Sequence, residues 1–308
     1  VNQHYIYTFV CFEEERSLCH LEMRSFFGED SEKNMIKSQV KIDPSRSPFM
    51  KERIAVIFEG ETVEDIVQQA ASLHLGTETF RIDFAKVYDG EYRFKERIKA
   101  ERDIGWVIEG EADLKNPDRI FGIIPFEGRW YFGEYAKSEA IWLRHLKKPR
   151  EYSTALSTRV ARTCANIAVP HPEGKKAIDP CCGIGTVLVE ARSMGIDMVG
   201  RDINPLVTDG SRENLAYFGL EGEVTTGPIS EVEELYDAAI IDLPYNLFTK
   251  ATPEDQFSIL KEARRFSSRT VIISTDLIDE MIQKAGFEIV DRCVAKKSSF
   301  IRHIMVCI

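Results

Sequence analysis

AIDPCCGIGT, Ala177 to Thr186, is the stretch on which the fold turns. Ala177 and Ile178 end a short apolar run and Asp179-Pro180 breaks it. Gly183-Ile184-Gly185-Thr186 then turns the chain into the apolar-periodic segment Val187 to Ala191. Strand, glycine turn and helix start, in that order, bring backbone N–H groups and the positive end of a helix up to a ligand. A G-x-G by itself is weak evidence, because glycine serves wherever φ must be positive. Leu188 stands where a dinucleotide fingerprint has its third glycine, which argues against a nicotinamide or flavin ligand. The acid just before the glycines, Asp179, implies a ligand that presents hydrogen-bond donors.

Moving outward, Asp197 to Gly200 reads as a second strand, followed by Arg201-Asp202-Ile203-Asn204-Pro205. Asp202 lies 23 residues beyond Asp179, the separation at which a carboxylate ending the second strand reaches ribose hydroxyls. Asn204 is placed to cap the next helix, with Pro205 as its first residue. Ala238 to Ile241 is a further apolar strand, ending in Asp242-Leu243-Pro244-Tyr245-Asn246. Asp, Pro and Asn are ordinary turn residues, so alone this ending predicts only a strand-terminating turn. Behind the other two motifs it reads as a reaction site.

DPCCGIGT, GRDINP and DLPYN together resemble the cofactor, ribose and catalytic motifs of class I S-adenosylmethionine-dependent methyltransferases. DLPY fits the (Asp/Asn/Ser)-x-Pro-aromatic signature of members that methylate exocyclic amino groups of nucleobases. The resemblance implies an α/β fold: a Rossmann-like, doubly wound sheet with an antiparallel terminal strand. The later chain agrees, with a helix at Phe257 to Phe266, a strand at Thr270 to Ser274 and a helix at Asp276 to Ala285. Strands at Phe287 to Ala295 and Ile301 to Val306 follow, joined by too few residues for a crossover and therefore antiparallel. S-adenosylmethionine is the cofactor implied, held by Asp179, Pro180, Cys181, Cys182, Gly183, Gly185, Thr186, Asp202, Ile203 and Ile229. Catalysis is implied at Asp242, Leu243, Pro244 and Tyr245. Asp242 and a backbone carbonyl of Leu243 or Pro244 would accept from the amine, and Tyr245 would stack on the base. The run from Tyr152 to Ala168 resembles the helix that precedes the cofactor motif in tRNA guanine 2-amino methyltransferases, which brings Ser157 or Thr158 toward the methionyl end. One position departs from the family. Residues 226–230 offer no acid for the adenine amine, the nearest being Glu231, which leaves backbone atoms and Ile229.

In the first half, His4 to Phe12 reads as a strand and Glu13 to Phe27 as a loose helix ending at Gly28. A short strand is expected near Val40, then a strand at Ile54 to Phe58 and a helix at Glu61 to Leu73. The strand at Phe80 to Val87, the Ile104-Gly105 stretch at the end of a Tyr92 to Ile108 helix, and the loop DLKNPD at 113–118 resemble the THUMP module of RNA-modifying enzymes. The expected organisation is a ferredoxin-like piece at 1–50, a THUMP-like α+β RNA-binding domain at 51–143, a basic linker at 144–152 and a methyltransferase domain at 153–308. In that family the module grips the acceptor end of tRNA. The plainer reading is an α+β domain used for packing or dimerisation.

The net charge of −10 argues against a protein that coats nucleic acid non-specifically, but leaves room for a local basic path. RHLKKPR at 144–150 contains no acid, so Arg144, Lys147, Lys148 and Arg150, with Asn246, are the expected RNA contacts. Arg93, Lys95, Arg97, Lys99 and Arg102 alternate with acids and read as a solvated helix. Lys296, Lys297 and Arg302 near the terminal hairpin fit either the substrate entry or ordinary surface charge. Seven cysteines without a C-x-x-C read as reduced thiols, Cys181 and Cys182 packing beneath the turn. Six histidines without paired spacing predict no metal. No apolar run approaches the roughly 20 residues of a membrane span, and VNQHYIYTFVCF lacks signal-peptide features, so a cytoplasmic protein is expected. The reading is a methyltransferase acting on the 2-amino group of a guanosine in RNA, tRNA first, and most similar to the group that modifies guanosine-10. The alternatives are an adenine 6-amino methyltransferase on rRNA or DNA and a non-catalytic RNA-binding protein on the same fold. Oligomeric state is open at this level.

Overall fold

The computed structural model describes residues 3–86, 92–153, 155–244, 251–297 and 300–308. The chain runs β1 (Tyr5–Phe9), α1 (Arg16–Phe27), β2 (Met35–Ser38), β3 (Met50–Gly60), α2 (Val63–Ala70), β4 (His74–Phe84), α3 (Phe94–Gly105), β5 (Glu109–Ala112), β6 (Arg119–Phe126) and β7 (Arg129–Lys137). It then forms α4 (Thr158–Ala168), β8 (Lys176–Asp179), α5 (Thr186–Ser193), β9 (Asp197–Asp202), α6 (Pro205–Tyr217), β10 (Val224–Thr226) and β11 (Tyr236–Asp242). Last come α7 (Pro253–Phe266), β12 (Ser267–Ser274), α8 (Asp279–Lys284), β13 (Ile289–Lys297) and β14 (Phe300–Cys307). Two compact units result: residues 1–10 with 30–139, and residues 11–29 with 140–308.

The first unit is a mixed sheet in the order β2-β1-β3-β7-β6-β4-β5. Helices α2 and α3 bury Ile66, Ala70 and Ile104 in one cluster with Phe80, Phe121 and Phe132 of the sheet. On α3 exposed Lys99 pairs with Asp103, as does Arg102, while Arg97 is half-buried.

The second unit is a sheet in the order β10-β9-β8-β11-β12-β14-β13. Strands β8 to β12 are parallel, and β14 runs antiparallel between β12 and β13. This is the doubly wound sheet of a class I methyltransferase, with the antiparallel terminal strand inserted one place inward. Strand order reverses between β8 and β11, and in open α/β sheets ligands bind at that switch point. One face of the sheet is closed by α7 and α8, where Leu260, Ala263, Phe266 and Ile282 join Ala239, Ile241, Ile272 and Met305 in one core.

One grouping differs from the sequence reading. Residues 11–29, expected with the first fifty, belong to the second unit. There α1 packs on α4 and β13, burying Leu18, Cys19, Leu21, Met23 and Phe26. Fully buried Glu22 accepts a 2.7 Å hydrogen bond from Asn166 Nδ2 of α4, and Arg24 pairs with Asp291 of β13 at 2.9 Å. An apolar helix face says that it will be covered, not by which sheet. Other differences are smaller: α3 stops at Gly105, α8 starts at Asp279, β4 begins at His74, the strand expected near Val40 is β2, and β5 has no counterpart among the expected elements.

Candidate active site

Three neighbouring parallel strands, β9, β8 and β11, each end in an aspartate: Asp202, Asp179 and Asp242. All three line one cavity of about 690 Å³ in the second unit. Tyr152, Ala155 and Leu156 form another wall, Pro228 and Ile229 a third, and Leu243 with Pro244 a fourth. No lysine or arginine is among the described lining residues.

The turn between β8 and α5 is built for close approach. Gly183 and Gly185 hold φ of +52° and +78°, in the left-handed region that disfavours side chains. At Gly185 an added Cβ would also lie 2.1 Å from Ser211 Oγ, so glycine lets α5 and α6 approach. Gly183 N–H donates to Asp202 Oδ2 and Asn204 N–H to Asp202 Oδ1, both at 2.9 Å. These bonds fix the carboxyl group of Asp202 while leaving lone pairs for a ligand's hydroxyls. Asn204 caps α6 through Leu206 N–H at 3.0 Å, with Pro205 at the first position.

The electrostatics of the three acids differ. Asp179 is buried and accepts at 3.2 Å from Cys181 N–H. Burial pushes its carboxyl group well above the usual range, and proximity to Asp242 and Asp202 adds to the shift. Burial pushes Asp242 up to about 7, opposed by the positive charge of Arg302. Among the described residues Asp242 Oδ1 is buried without a hydrogen-bond partner, and so is Thr186 Oγ1 at the head of α5. Buried polar atoms are almost always paired, and both residues line the cavity. A cation bearing N–H and O–H donors suits this acid-rich, base-free lining, whereas a pyrophosphate would be repelled. S-adenosylmethionine fits: a sulfonium, an ammonium and a ribose diol. Cys181 and Cys182 lie in the turn as packed thiols, with acidities suppressed by burial.

Several expected site residues stand elsewhere. Ser157 caps α4 through Val160 N–H, and buried Thr158 lies 3.5 Å from the His145 carbonyl; neither lines the cavity, which Leu156 and Ala155 reach instead. Arg150, acid-free in sequence, pairs with Glu213 of α6 at 2.6 and 3.0 Å. Lys148 is half-buried and donates to the His145 carbonyl at 3.0 Å, while Arg144 and Lys147 are exposed. Glu231 is held by Arg201 at 2.7 Å, and Arg201 also donates to the Pro228 carbonyl and Thr225 Oγ1. That clamp leaves Pro228 and Ile229 to meet the ligand. The Pro244 carbonyl accepts from Gln256 Nε2 of α7 at 2.8 Å, a contact that the sequence does not signal. Arg302 is neither at an entry nor on the surface but buried. Tyr245 and Asn246 lie outside the described residues.

The family model for the RMKL-like methyltransferase domain (UPF0020) matches residues 145–302, just over half of the chain. The chain belongs to that family. All the residues lining the cavity fall within this methyltransferase domain, while α1 lies outside the matched range yet inside the same compact unit. The chain is an S-adenosylmethionine-dependent methyltransferase. A tRNA (guanine(10)-N2)-dimethyltransferase of Methanothermobacter thermautotrophicus is 26% identical over 242 residues, covering 72% of this chain and 71% of that one. Its namesake from Pyrococcus abyssi is 27% identical over 175 residues, covering 53% and 52%. The human U6 snRNA (guanine-N(2))-methyltransferase THUMPD2 is 35% identical over 120 residues, 37% of this chain and 24% of that one. The chain thus spans about half the length of the Pyrococcus abyssi relative and about a quarter of the human one.

Proposed function

We propose that this methyltransferase moves a methyl group from S-adenosylmethionine to the exocyclic 2-amino group of a guanosine in RNA, with tRNA as the substrate. The observation that carries the reading is the unpaired, buried oxygen of Asp242 at the cavity end of the Asp-Leu-Pro turn. The names of the relatives, which agree on guanine N2, support the choice of amine.

The cofactor, when bound, supplies a methyl group already activated on a sulfonium. The chain's part is to hold the amine, and positioning of that kind is worth roughly 7–11 kcal/mol. The nitrogen's lone pair is delocalised into the ring, so acceptors on its N–H groups are needed to favour a pyramidal nitrogen. Asp242 is one acceptor and the Leu243 carbonyl the second, with Gln256 fixing the turn through the Pro244 carbonyl. With its proton affinity near neutrality, Asp242 can also take the proton that the amine sheds.

A guanine inside folded RNA must leave its stack first, at a cost of a few kcal/mol. We assign the offsetting contacts to the first unit, as a THUMP-like RNA grip, and to exposed Arg144 and Lys147. No helix among the described residues is long and apolar enough to cross a membrane. We place the protein in the cytoplasm, beside its RNA.

Incubating the full chain with unmodified tRNA transcript and isotopically labelled cofactor, followed by nucleoside mass spectrometry, tests the assignment. N2-methylguanosine is expected. Labelled N6-methyladenosine instead would overturn the choice of base. Cofactor binding without any labelled nucleoside would overturn catalysis on tRNA.

A further inference from the structure

The mechanism leaves a buried arginine unused. Arg302, in β14, is 8% exposed, with its guanidinium 4.7 Å from the centre of the Phe300 ring. Sheet register places it relative to the site. Asp242 of β11 is in register with Ile273 of β12, and Ile273 with Ile304 of β14. Side chains alternate along a strand, so Arg302, two residues from Ile304, shares the face of the sheet that Asp242 occupies. Two strand spacings across the sheet and two residues along β14 separate them, roughly 12 Å between backbones, a gap narrowed by a long side chain and a short one.

This is the face opposite the one closed by α7 and α8, and α4 packs on it over β11 and β12. The ionisable groups around Asp242 can be taken element by element. Asp179 and Asp202 come from β8 and β9, Cys181 from the turn after β8, and Cys164 from α4. Cys293 comes from β13, and Glu22 of α1 stands near Cys164 and is bonded to Asn166. Arg302 is the one cation in that set. We propose that Arg302 is a positioning residue for the catalytic turn, its buried guanidinium supplying the positive charge that faces the Asp242 carboxylate from the α4-covered side of the sheet.

Chemically, the arginine biases which of the two buried acids, Asp179 or Asp242, carries negative charge. Two neighbouring carboxyl groups in one poorly hydrated site do not both ionise readily. Burial, with Asp242 and Asp202 nearby, pushes Asp179 well above the usual range, whereas burial pushes Asp242 up to about 7 with Arg302 opposing it. The acid that must accept from the amine is therefore the one that ionises near neutral pH. The inference rests on the reading of Asp242 as that acceptor.

The test compares Arg302→Met, which removes the charge, with Arg302→Lys, which keeps it, in the full chain. Two quantities are read: the acid limb of the single-turnover rate of methyl transfer at saturating cofactor, and the 13C carboxyl titration of Asp242, assigned by its loss in Asp242→Asn. The expected result for Arg302→Met is an upward displacement of both by about one pH unit or more. Arg302→Lys should stay close to wild type. Should Arg302→Met fail to fold, Arg302→Gln keeps hydrogen-bonding capacity without charge and should show the same displacement. A folded neutral variant with both curves unmoved would overturn the role of Arg302, a merely structural arginine having no reason to move either. Full turnover by Asp242→Asn would instead remove the functional reading on which the inference stands.

Discussion

Asp242 joins two properties rarely found in one side chain: an oxygen buried without a partner and a proton affinity near neutrality. Its replacement by alanine should lower kcat by about 10²–10³-fold, the loss typical of one preorganised hydrogen-bonding partner. Single-turnover rates with tRNA transcript measure it. The pH dependence of cofactor binding follows from the same group. Free Asp242 is protonated below about 7, and a cationic ligand favours its ionised form. Binding should therefore release a proton and tighten as pH rises toward about 7, then level off. Calorimetry in two buffers of different ionisation enthalpy reads that proton; equal heats at pH 6 would contradict it. In the ligand-free protein the sign is opposite. Between roughly pH 4 and 7 the folded chain keeps a proton that the unfolded chain has lost, so Asp242 weakens the fold progressively as pH rises.

At the scale of elements, α1 is the least expected member of the methyltransferase unit. Its buried Leu21 is 1% exposed, and Leu21→Ala should cost about 2–5 kcal/mol, seen as a lowered Tm. A fragment of residues 140–308 keeps every residue lining the cavity but loses α1, exposing apolar surface of α4 and β13. That fragment should melt well below the full chain's second unit, and adding residues 11–29 as a separate peptide should raise its Tm. Identical melting with and without the peptide would show that α1 contributes nothing. The glycine turn makes a narrower claim. Gly185→Ala meets both a left-handed backbone and Ser211 Oγ, so it should destabilise the unit by more than the roughly 1–2 kcal/mol of the conformation alone.

Across the whole molecule, a net charge of −10 means that RNA must be met by local positive surface against a repulsive background. Each phosphate contact adds close to one unit to the slope of log affinity against log salt. Replacing Arg144 and Lys147 by glutamine should thus lower tRNA affinity and reduce that slope by about one to two. The same change at Arg150, already paired with Glu213, should leave the slope near its original value. Filter binding over a salt series separates the two outcomes.

The sequence by itself determined the ligand turn at 177–186, the acids Asp202 and Asp242 that complete the cavity, and the alternation of helices and strands around them. These features are local: a strand, its terminal acid and the turn that follows are contiguous in the chain, and glycine, proline and capping residues mark them. Only the tertiary structure decided which unit α1 completes, that Arg150 faces Glu213, that Arg201 withdraws Glu231 from the cavity, and that Arg302 is buried on the face of the sheet that Asp242 occupies. Each of these joins residues distant in the chain, 267 positions apart for Arg24 and Asp291 and 63 for Arg150 and Glu213. Their pairing depends on strand order and helix placement, and a charge or an apolar stripe in sequence carries no record of the partner that will meet it.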